Sequence, residues 1–276
     1  MRSEDSDDSQ ALLSRLVREI GQSRKYRELE IPVETLKDLL EQELGKGRSD
    51  SAALQSVREK LHNIVAPYLG DPDYAAASEK LNTASLTGEI DSLRPVCREI
   101  MESHASTHER VPLLDHFYER LWAVTGIPGS VLDLACGLHP FGLPWMGLPQ
   151  TTRYYAYDLH APRINLINHF FGLTGYEAQG FVQDILVTPP DVHADVGIFF
   201  KEAHRFEQRK KGCNRPFFKA LNVHWLLVSL PAVDLGGHHS MVDRQRKLMD
   251  SILTGLPWTV EEILIENELI FCIQKS

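Results

Sequence analysis

Long apolar runs are missing from this sequence. No stretch of its 276 residues approaches the roughly 18–20 consecutive apolar residues that a membrane span needs. Cysteine is scarce and scattered: Cys97, Cys136, Cys213 and Cys272 form no CxxC and no Cys/His pairing. That excludes a zinc ribbon or a disulfide framework, and no metal site is expected. Positive charge is in deficit, with 29 Lys+Arg against 38 Asp+Glu and a net charge of −9. Bulk electrostatic adhesion to nucleic acid is thereby excluded, and any such contact must come from local patches. The opening MRSEDSDDSQ is acidic and polar, the reverse of a secretory leader, so a cytoplasmic, reduced protein is expected.

What is present falls into two halves. The chain is 43% hydrophobic, enough for one large domain and a smaller one. From residue 9 to about 105 the apolar residues recur at helical spacing: Leu12, Leu13, Leu16, Val17 and Ile20, then Leu36, Leu39, Leu40 and Leu44 after Pro32, then Leu54, Val57, Leu61, Ile64 and Val65. A further helix is expected from Glu89 to His104. After about residue 127, short apolar runs (SVLDLA, YYAYDL, AQGFVQDIL, DVGIFF, HWLLVSLP) alternate with amphipathic segments, and TVEEILIENE with ELIFCIQK close the chain as a hairpin. This alternation predicts a largely parallel sheet with crossovers. An all-helical domain over 1–107 and a Rossmann-like α/β domain over 108–276 are expected.

Glycine is thin where a dinucleotide site would need it. The strand Val131–Leu134 runs into Ala135-Cys136-Gly137, and there the G-x-G-x-x-G fingerprint stops at one glycine. Pro140, Gly142, Pro144, Gly147 and Pro149 follow where a helix would start. A bare-amide nest for a pyrophosphate is excluded, and a phosphate-free ligand such as S-adenosylmethionine suits the loop better. Ligands of open α/β sheets sit at the carboxyl ends of the strands. There the sequence offers Gly137 for close backbone approach, Asp158 (followed by Leu159) for ribose hydroxyls, Asp184 for an adenine amine, and Lys201. Taken singly, each aspartate could equally be a helix cap or turn residue; the ordered set points to a class I S-adenosylmethionine-dependent methyltransferase fold.

The motifs SRKYREL, VREKLHNIVAPYLG, HASTHERVPLLDHFYERLW, DLACGLHPFGLPWMGLP and ENELIFCIQKS, in this order along the chain, resemble those of the aminoglycoside-resistance 16S rRNA (guanine-N7)-methyltransferases. The resemblance implies a helical domain that docks on the 30S subunit and a catalytic domain that methylates N7 of a guanine in helix 44 of the decoding site. It implies Arg110 on the methionine carboxylate, Gly137 packed on that moiety with Ala135 beside it, Asp158 on the ribose, and Asp184 with Ile185 around the adenine. A surface ion pair between Arg110 and Glu109 is the plainer alternative. Guanine N7 carries a lone pair and no proton, so no general base is expected; His104 and His139 are read as packed or hydrogen-bonded structural residues. A monomer is expected.

The chain departs from the family after its fifth strand. SLPAVDLGGHHSMVDRQRK keeps Pro231 but has Val233 near the family's lysine, His238 near its arginine and Ser240-Met241 for its Gly-Met pair. Arg244, Arg246 and Lys247 follow and could compensate, or could be a solvated helix face. Residues 1–110 hold 15 Lys+Arg against 21 Asp+Glu, an acidic balance for an RNA-docking module. Their cations cluster at Arg24, Lys25 and Arg27 and at Arg58, Lys60 and His62, and a third cluster lies at Arg209, Lys210, Lys211 and Arg215. Lys25, Arg58, Lys60, His62, Arg209, His238, Met241 and Arg244 are the expected RNA contacts. A different rRNA nucleotide, or another RNA, is the alternative substrate; a non-catalytic ribosome-binding protein is the alternative of another class.

Overall fold

The computed structural model describes residues 4–22, 30–65, 71–234 and 239–275. Three helices come first: α1 (Glu4–Gln22), α2 (Val33–Leu44) and α3 (Asp50–Val65). Their i, i+3/4 stripes meet in one apolar core containing Leu13, Leu16, Leu36, Leu39, Leu54, Val57 and Leu61. Glu43 is buried on α2 and held by Lys46 of its own last turn (2.6 Å), Arg48 (2.9 Å) and Lys60 of α3 (2.7 Å). Burial pushes its carboxyl up, but the hydrogen bonds from Lys46, Lys60 and Ser56 outweigh this and lower it to about 2.

Helices α4 (Tyr74–Ala84), α5 (Arg94–Glu102), α6 (Ala105–His108) and α7 (Leu114–Thr125) follow. The helix expected over 89–104 is split. Ile90–Leu93 is a 3-10 turn, and α5 starts with Pro95 in its first turn, where the missing N–H costs nothing. Leu81, Cys97, Met101, Phe117 and Leu121 from these helices share a core with Val131, Ile198 and Leu227 of the sheet. The expected division at 107/108 therefore does not coincide with the boundary between cores. Among the described residues α1–α3 have a core of their own, whereas the apolar stripes of α4, α5 and α7 enter the core that also holds one face of the sheet.

The sheet comprises β1 (Ser130–Leu134), β2 (Arg153–Asp158), β3 (Glu177–Val182), β4 (Ala194–Phe200), β5 (Val223–Pro231), β6 (Thr259–Ile265) and β7 (Glu268–Gln274). Its order is β3-β2-β1-β4-β5-β7-β6, with β1–β5 parallel and β7 antiparallel to both neighbours. Helix α8 (Ala161–Thr174) crosses over between β2 and β3, α9 (Ala203–Arg209) and α10 (Asn214–Ala220) between β4 and β5, and α11 (Val242–Leu253) precedes the closing hairpin. The order reverses at β1/β4, where open α/β sheets place their ligands. Register brings the loops to one rim. Leu134 pairs with Tyr157 and Asp158 with Val182, while Asp133 pairs with Ile198, so the chain leaves β1, β2, β3 and β4 at nearly the same level.

The exit from β1 is a 3-10 segment, His139–Trp145, instead of a helix. Pro140 and Pro144 lack the N–H that an α-helical ladder requires. Tertiary contacts hold the segment in place. Arg94 donates from Nε and Nη2 to the Pro144 carbonyl (3.2 and 2.8 Å), and Trp122 Nε1 donates to the Met146 carbonyl (2.7 Å). Arg94 and Arg98 both lie over the Trp145 ring, at 5.5 and 5.6 Å from its centroid. Trp145 and Met146 thus anchor the loop. Gly142 is required by close approach: a Cβ there would collide with the Tyr118 hydroxyl, which is buried without a hydrogen-bond partner among the described residues. Gly142→Ala is expected to destabilise the protein by about 1–3 kcal/mol through overpacking. Tyr118→Phe, which removes only the unpartnered hydroxyl, is expected to be nearly neutral alone and to recover part of that loss in the double variant. Urea unfolding of the three variants checks this, and additive losses would contradict the collision.

Candidate active site at the strand ends

A cavity of about 590 Å³ opens over the carboxyl ends of the parallel strands, within the size range of small-molecule sites. All eight residues expected at a cofactor, from Arg110 to Lys201, line it. Two of them, Ala135 (φ +50) and Lys201 (φ +60), are non-glycine residues in the left-handed region, each just past the end of a strand. Side chains are held there at a cost, and such strain gathers at functional sites. Gly137 (φ +56) turns the chain back over the cavity, and its N–H donates to Asp158 Oδ2 (2.9 Å).

Asp158 is oriented from below. Its Oδ2 also accepts from Arg163 Nη1 (3.2 Å), and Oδ1 accepts from the His160 N–H (3.0 Å). With three of about four lone-pair positions filled, Oδ1 can take one more donor, such as a single ribose hydroxyl. Arg163 is in turn clamped by Asp71, at 2.9 Å to Oδ2 and 2.5 Å to Oδ1. Burial pushes the Asp71 carboxyl up, but His160, Arg163 and Tyr74 together hold it well below the usual carboxylate range. This links the chain just before α4 to the rim of the site.

Arg110 is fully enclosed. Its Nη2 and Nε donate to Glu268 (2.5 and 3.3 Å), and its guanidinium lies 4.7 Å from the centroids of both Phe117 and Phe200. Burial would raise the Glu268 carboxyl, but Arg110, Lys201 and Ser229 lower it overall. The surface pair with Glu109 does not form; Glu109 instead accepts from Lys201 Nζ (2.7 Å). Nη1 of Arg110 remains for a ligand carboxylate. Glu268 was missed as a site residue, although it sits in the quoted ENELIFC motif; its partner lies 158 residues away in the chain.

Asp184 differs from the expectation. Oδ1 accepts from Arg209 Nη1 (2.9 Å) and the Leu186 N–H (3.2 Å), and Oδ2 accepts from Arg209 Nη2 (2.6 Å) and Thr35 Oγ1 (2.8 Å). That is a full complement for a carboxylate, so an adenine amine can reach it only by displacing one of these donors. Arg209 is corrected with it. The side chain expected on an RNA surface is largely buried, and it joins Asp184 to Asp38 of α2 (3.1 Å). Thr35 and Asp38 escaped the sequence reading because nothing in a helical pattern reveals contact with a loop 149 residues on. Ile185 lines the cavity beside Asp184.

The two histidines are bonded as structural side chains. His139 Nδ1 meets Asp133 Oδ2 (2.8 Å), which also accepts from Tyr154 (2.7 Å); His104 Nδ1 accepts from the Ser106 N–H at the start of α6 (3.3 Å). Burial pushes the Cys136 thiol far up, so it offers no thiolate nucleophile. No His/Cys/Asp/Glu group that could hold a metal occurs among the described residues. Nor is any described helix long and apolar enough to cross a membrane.

The remaining RNA candidates are dispersed. Lys60 reaches the cavity while paired with Glu43. Arg58 is ion-paired to Glu19 of α1, and His62 is exposed in the last turn of α3. Met241 caps α11, its N–H donating to the Ala232 carbonyl (2.7 Å), and Arg244 is exposed one turn later. Lys25 and His238 lie outside the described residues.

The FmrO ribosomal RNA methyltransferase family model matches residues 22–272. The chain belongs to this family. A 16S rRNA (guanine(1405)-N(7))-methyltransferase of Micromonospora echinospora is 30% identical over 260 residues, covering 93% of this chain and 94% of that protein. The corresponding enzyme of Serratia marcescens is 28% identical, with 92% and 95% covered. Among solved structures, the 16S rRNA methylase RmtB superposes with a TM-score of 0.78 at 24% identity, covering 96% of this chain and 98% of its own. RmtF, solved in complex with S-adenosyl-L-homocysteine, gives 0.75 at 24% identity, with 97% and 98% covered. These structural likenesses establish the class I methyltransferase fold for this family member. The clasp between α2 and the site is open to test. Asp184→Asn leaves Arg209 largely buried and half-paired, and is expected to cost about 3–5 kcal/mol of stability. Thr35→Val, which removes one neutral donor, is expected to cost about 1 kcal/mol. Equal, small losses in urea unfolding would show that the clasp carries no weight.

Proposed function

We propose that this protein methylates N7 of one guanine in helix 44 of 16S rRNA, within the 30S subunit, using S-adenosylmethionine. The product would confer resistance to 4,6-disubstituted 2-deoxystreptamine aminoglycosides, because a methyl group and fixed positive charge at N7 crowd and repel the cationic drug. The observation that carries this reading is the convergence on one cavity of all eight expected cofactor residues, in a chain 30% identical to a guanine-N7 methyltransferase over 93% of its length.

The donor set fits the cofactor. Arg110 keeps a guanidinium nitrogen for the methionine carboxylate, a match of planar fork to carboxylate. Asp158 keeps a lone pair for a ribose hydroxyl. Ala135 and Gly137 bring bare backbone to the rim, and Ile185 supplies an apolar wall beside the adenine. The Gly137 N–H donates to Asp158 and the exit from β1 is a 3-10 segment, which suits a phosphate-free ligand. Bound S-adenosylmethionine supplies an electrophilic methyl group on a sulfonium sulfur. The protein's part is to hold guanine N7 in line with that methyl, which is catalysis by proximity. N7 has no proton to lose, so His139 and Cys136 need no chemical role. The base has to leave the helical stack to enter the cavity.

Under this reading α1–α3, with their own core, form the unit that docks on the subunit, with Arg58, Lys60 and His62 on α3 and Met241 and Arg244 near the mouth as RNA contacts. The protein acts as a cytoplasmic monomer. Labelled methyl transfer to purified 30S subunits, with naked 16S rRNA alongside, tests the proposal. Incorporation into 30S with a single borohydride/aniline cleavage in helix 44 is expected. Incorporation with cleavage elsewhere would move the target, as the altered Val233–Met241 segment would allow. No incorporation would remove the enzyme assignment.

A further inference from the structure

Adenine and guanine both carry a free N7 lone pair, so methyl transfer to N7 does not by itself choose between them. Beside N7 the two bases differ in O6 against the 6-amine, and on the opposite, Watson–Crick edge they differ again, where a group can read the base while N7 faces the methyl donor. Guanine presents there two adjacent donors, N1–H and the 2-amino group, where adenine presents an acceptor at N1. A carboxylate, whose two oxygens only accept, matches guanine and is repelled by adenine.

Four carboxylates line the cavity: Glu109, Asp158, Asp184 and Glu202. Three are already engaged. Glu109 accepts from Lys201, Asp158 from Gly137, His160 and Arg163, and Asp184 from Thr35, Leu186 and Arg209. The Glu202 carboxylate accepts no hydrogen bond from the described residues; its only ion pair is a loose one to Arg205, at 3.6 Å. Its place in the sheet also matters. Gly137, Asp158 and Asp184, the cofactor side, follow β1, β2 and β3, whereas Glu202 follows β4 on the other side of the β1/β4 reversal, with Phe200 and Pro231. That half of the cavity is what a cofactor laid over β1–β3 leaves for the incoming base.

We infer that Glu202 is the specificity residue of the acceptor site, its carboxylate accepting from N1–H and the 2-amino group of the extruded guanine while N7 faces the methyl donor. This rests on the guanine-N7 reading above. Around Glu202 stand Arg205 on its own helix, Asp158 at the end of β2, Arg163 on α8, and the Lys201–Glu109 pair at the rim. Burial, opposed by Arg205 and reinforced by Asp158, pushes its carboxyl up to about 7. Only the ionised form accepts both donors, so transfer at subsaturating 30S rises as pH increases through about 7.

The test uses 30S subunits reconstituted with 16S rRNA carrying either guanine or inosine, which lacks the 2-amino group, at the target position. The wild-type protein is expected to lose about 10- to 100-fold in kcat/KM on inosine, the worth of a charge-assisted hydrogen bond. Glu202→Gln should fall by a similar factor on guanine, discriminate little between the two subunits, and lose the rise with pH, while binding S-adenosylmethionine as the wild type does in calorimetry. A wild-type protein that methylates inosine as fast as guanine overturns the assignment whether or not the variant folds. So does a variant with wild-type rate, discrimination and pH profile. No transfer by the wild type to guanine subunits sinks the methyltransferase reading, and this assignment with it.

Discussion

A charge persists inside a protein only beside its partner, and the wall of this cavity is built on three such pairings. Arg163 joins Asp71 to Asp158, Arg110 joins Glu268 to the aromatic pair Phe117 and Phe200, and Arg209 joins Asp38 to Asp184. Each arginine ties an element remote in sequence to a strand end. Removing either partner would leave the other desolvated and less compensated, so each pairing holds its strand-end loop in place. The planar guanidinium serves here because it can satisfy two carboxylates, or a carboxylate and two aromatic faces, at once.

The pairings also set what the cavity can still bind. Asp158 and Arg110 are oriented but not exhausted, each keeping one position for a ligand. Asp184 is exhausted, because α2 reaches over the sheet and spends its second oxygen on Thr35. The helical unit that would meet the ribosome and the loop that would meet the adenine therefore share a carboxylate. Opposite them, Glu202 accepts no hydrogen bond from the described residues and has a loose ion pair to Arg205. Under the proposed assignments one half of the cavity would take the zwitterionic nucleoside and the other a base that offers two donors.

Much of the fold was legible locally. The stripes of Leu36, Leu39 and Leu40 and of Leu54, Val57 and Leu61 name their buried faces, since the helical period forces residues three and four apart to one side. Val131–Leu134 reads as a strand buried on both faces, and Pro140 with Pro144 reads as an exit without a helix. The helix around residue 90 was harder to place because a 3-10 turn and α5 share one apolar stripe. The partner of the stripe on α4 and α5 was not legible: periodicity identifies an apolar face but not the surface it meets, and that surface proved to be α8 for α4 and the 3-10 segment after β1 for α5.

The sequence by itself determined the family, the strand ends and the eight residues that gather at them, because motifs and loop positions are local properties of a chain. Only the tertiary structure decided how those residues are spent. Arg110 took Glu268 rather than Glu109, Arg209 turned inward to Asp184 and Asp38, and Glu202 was left without a hydrogen bond from the described residues. Ion pairing depends on distances of about 3 Å between groups that can lie more than a hundred residues apart, and no spacing along the chain encodes such a distance.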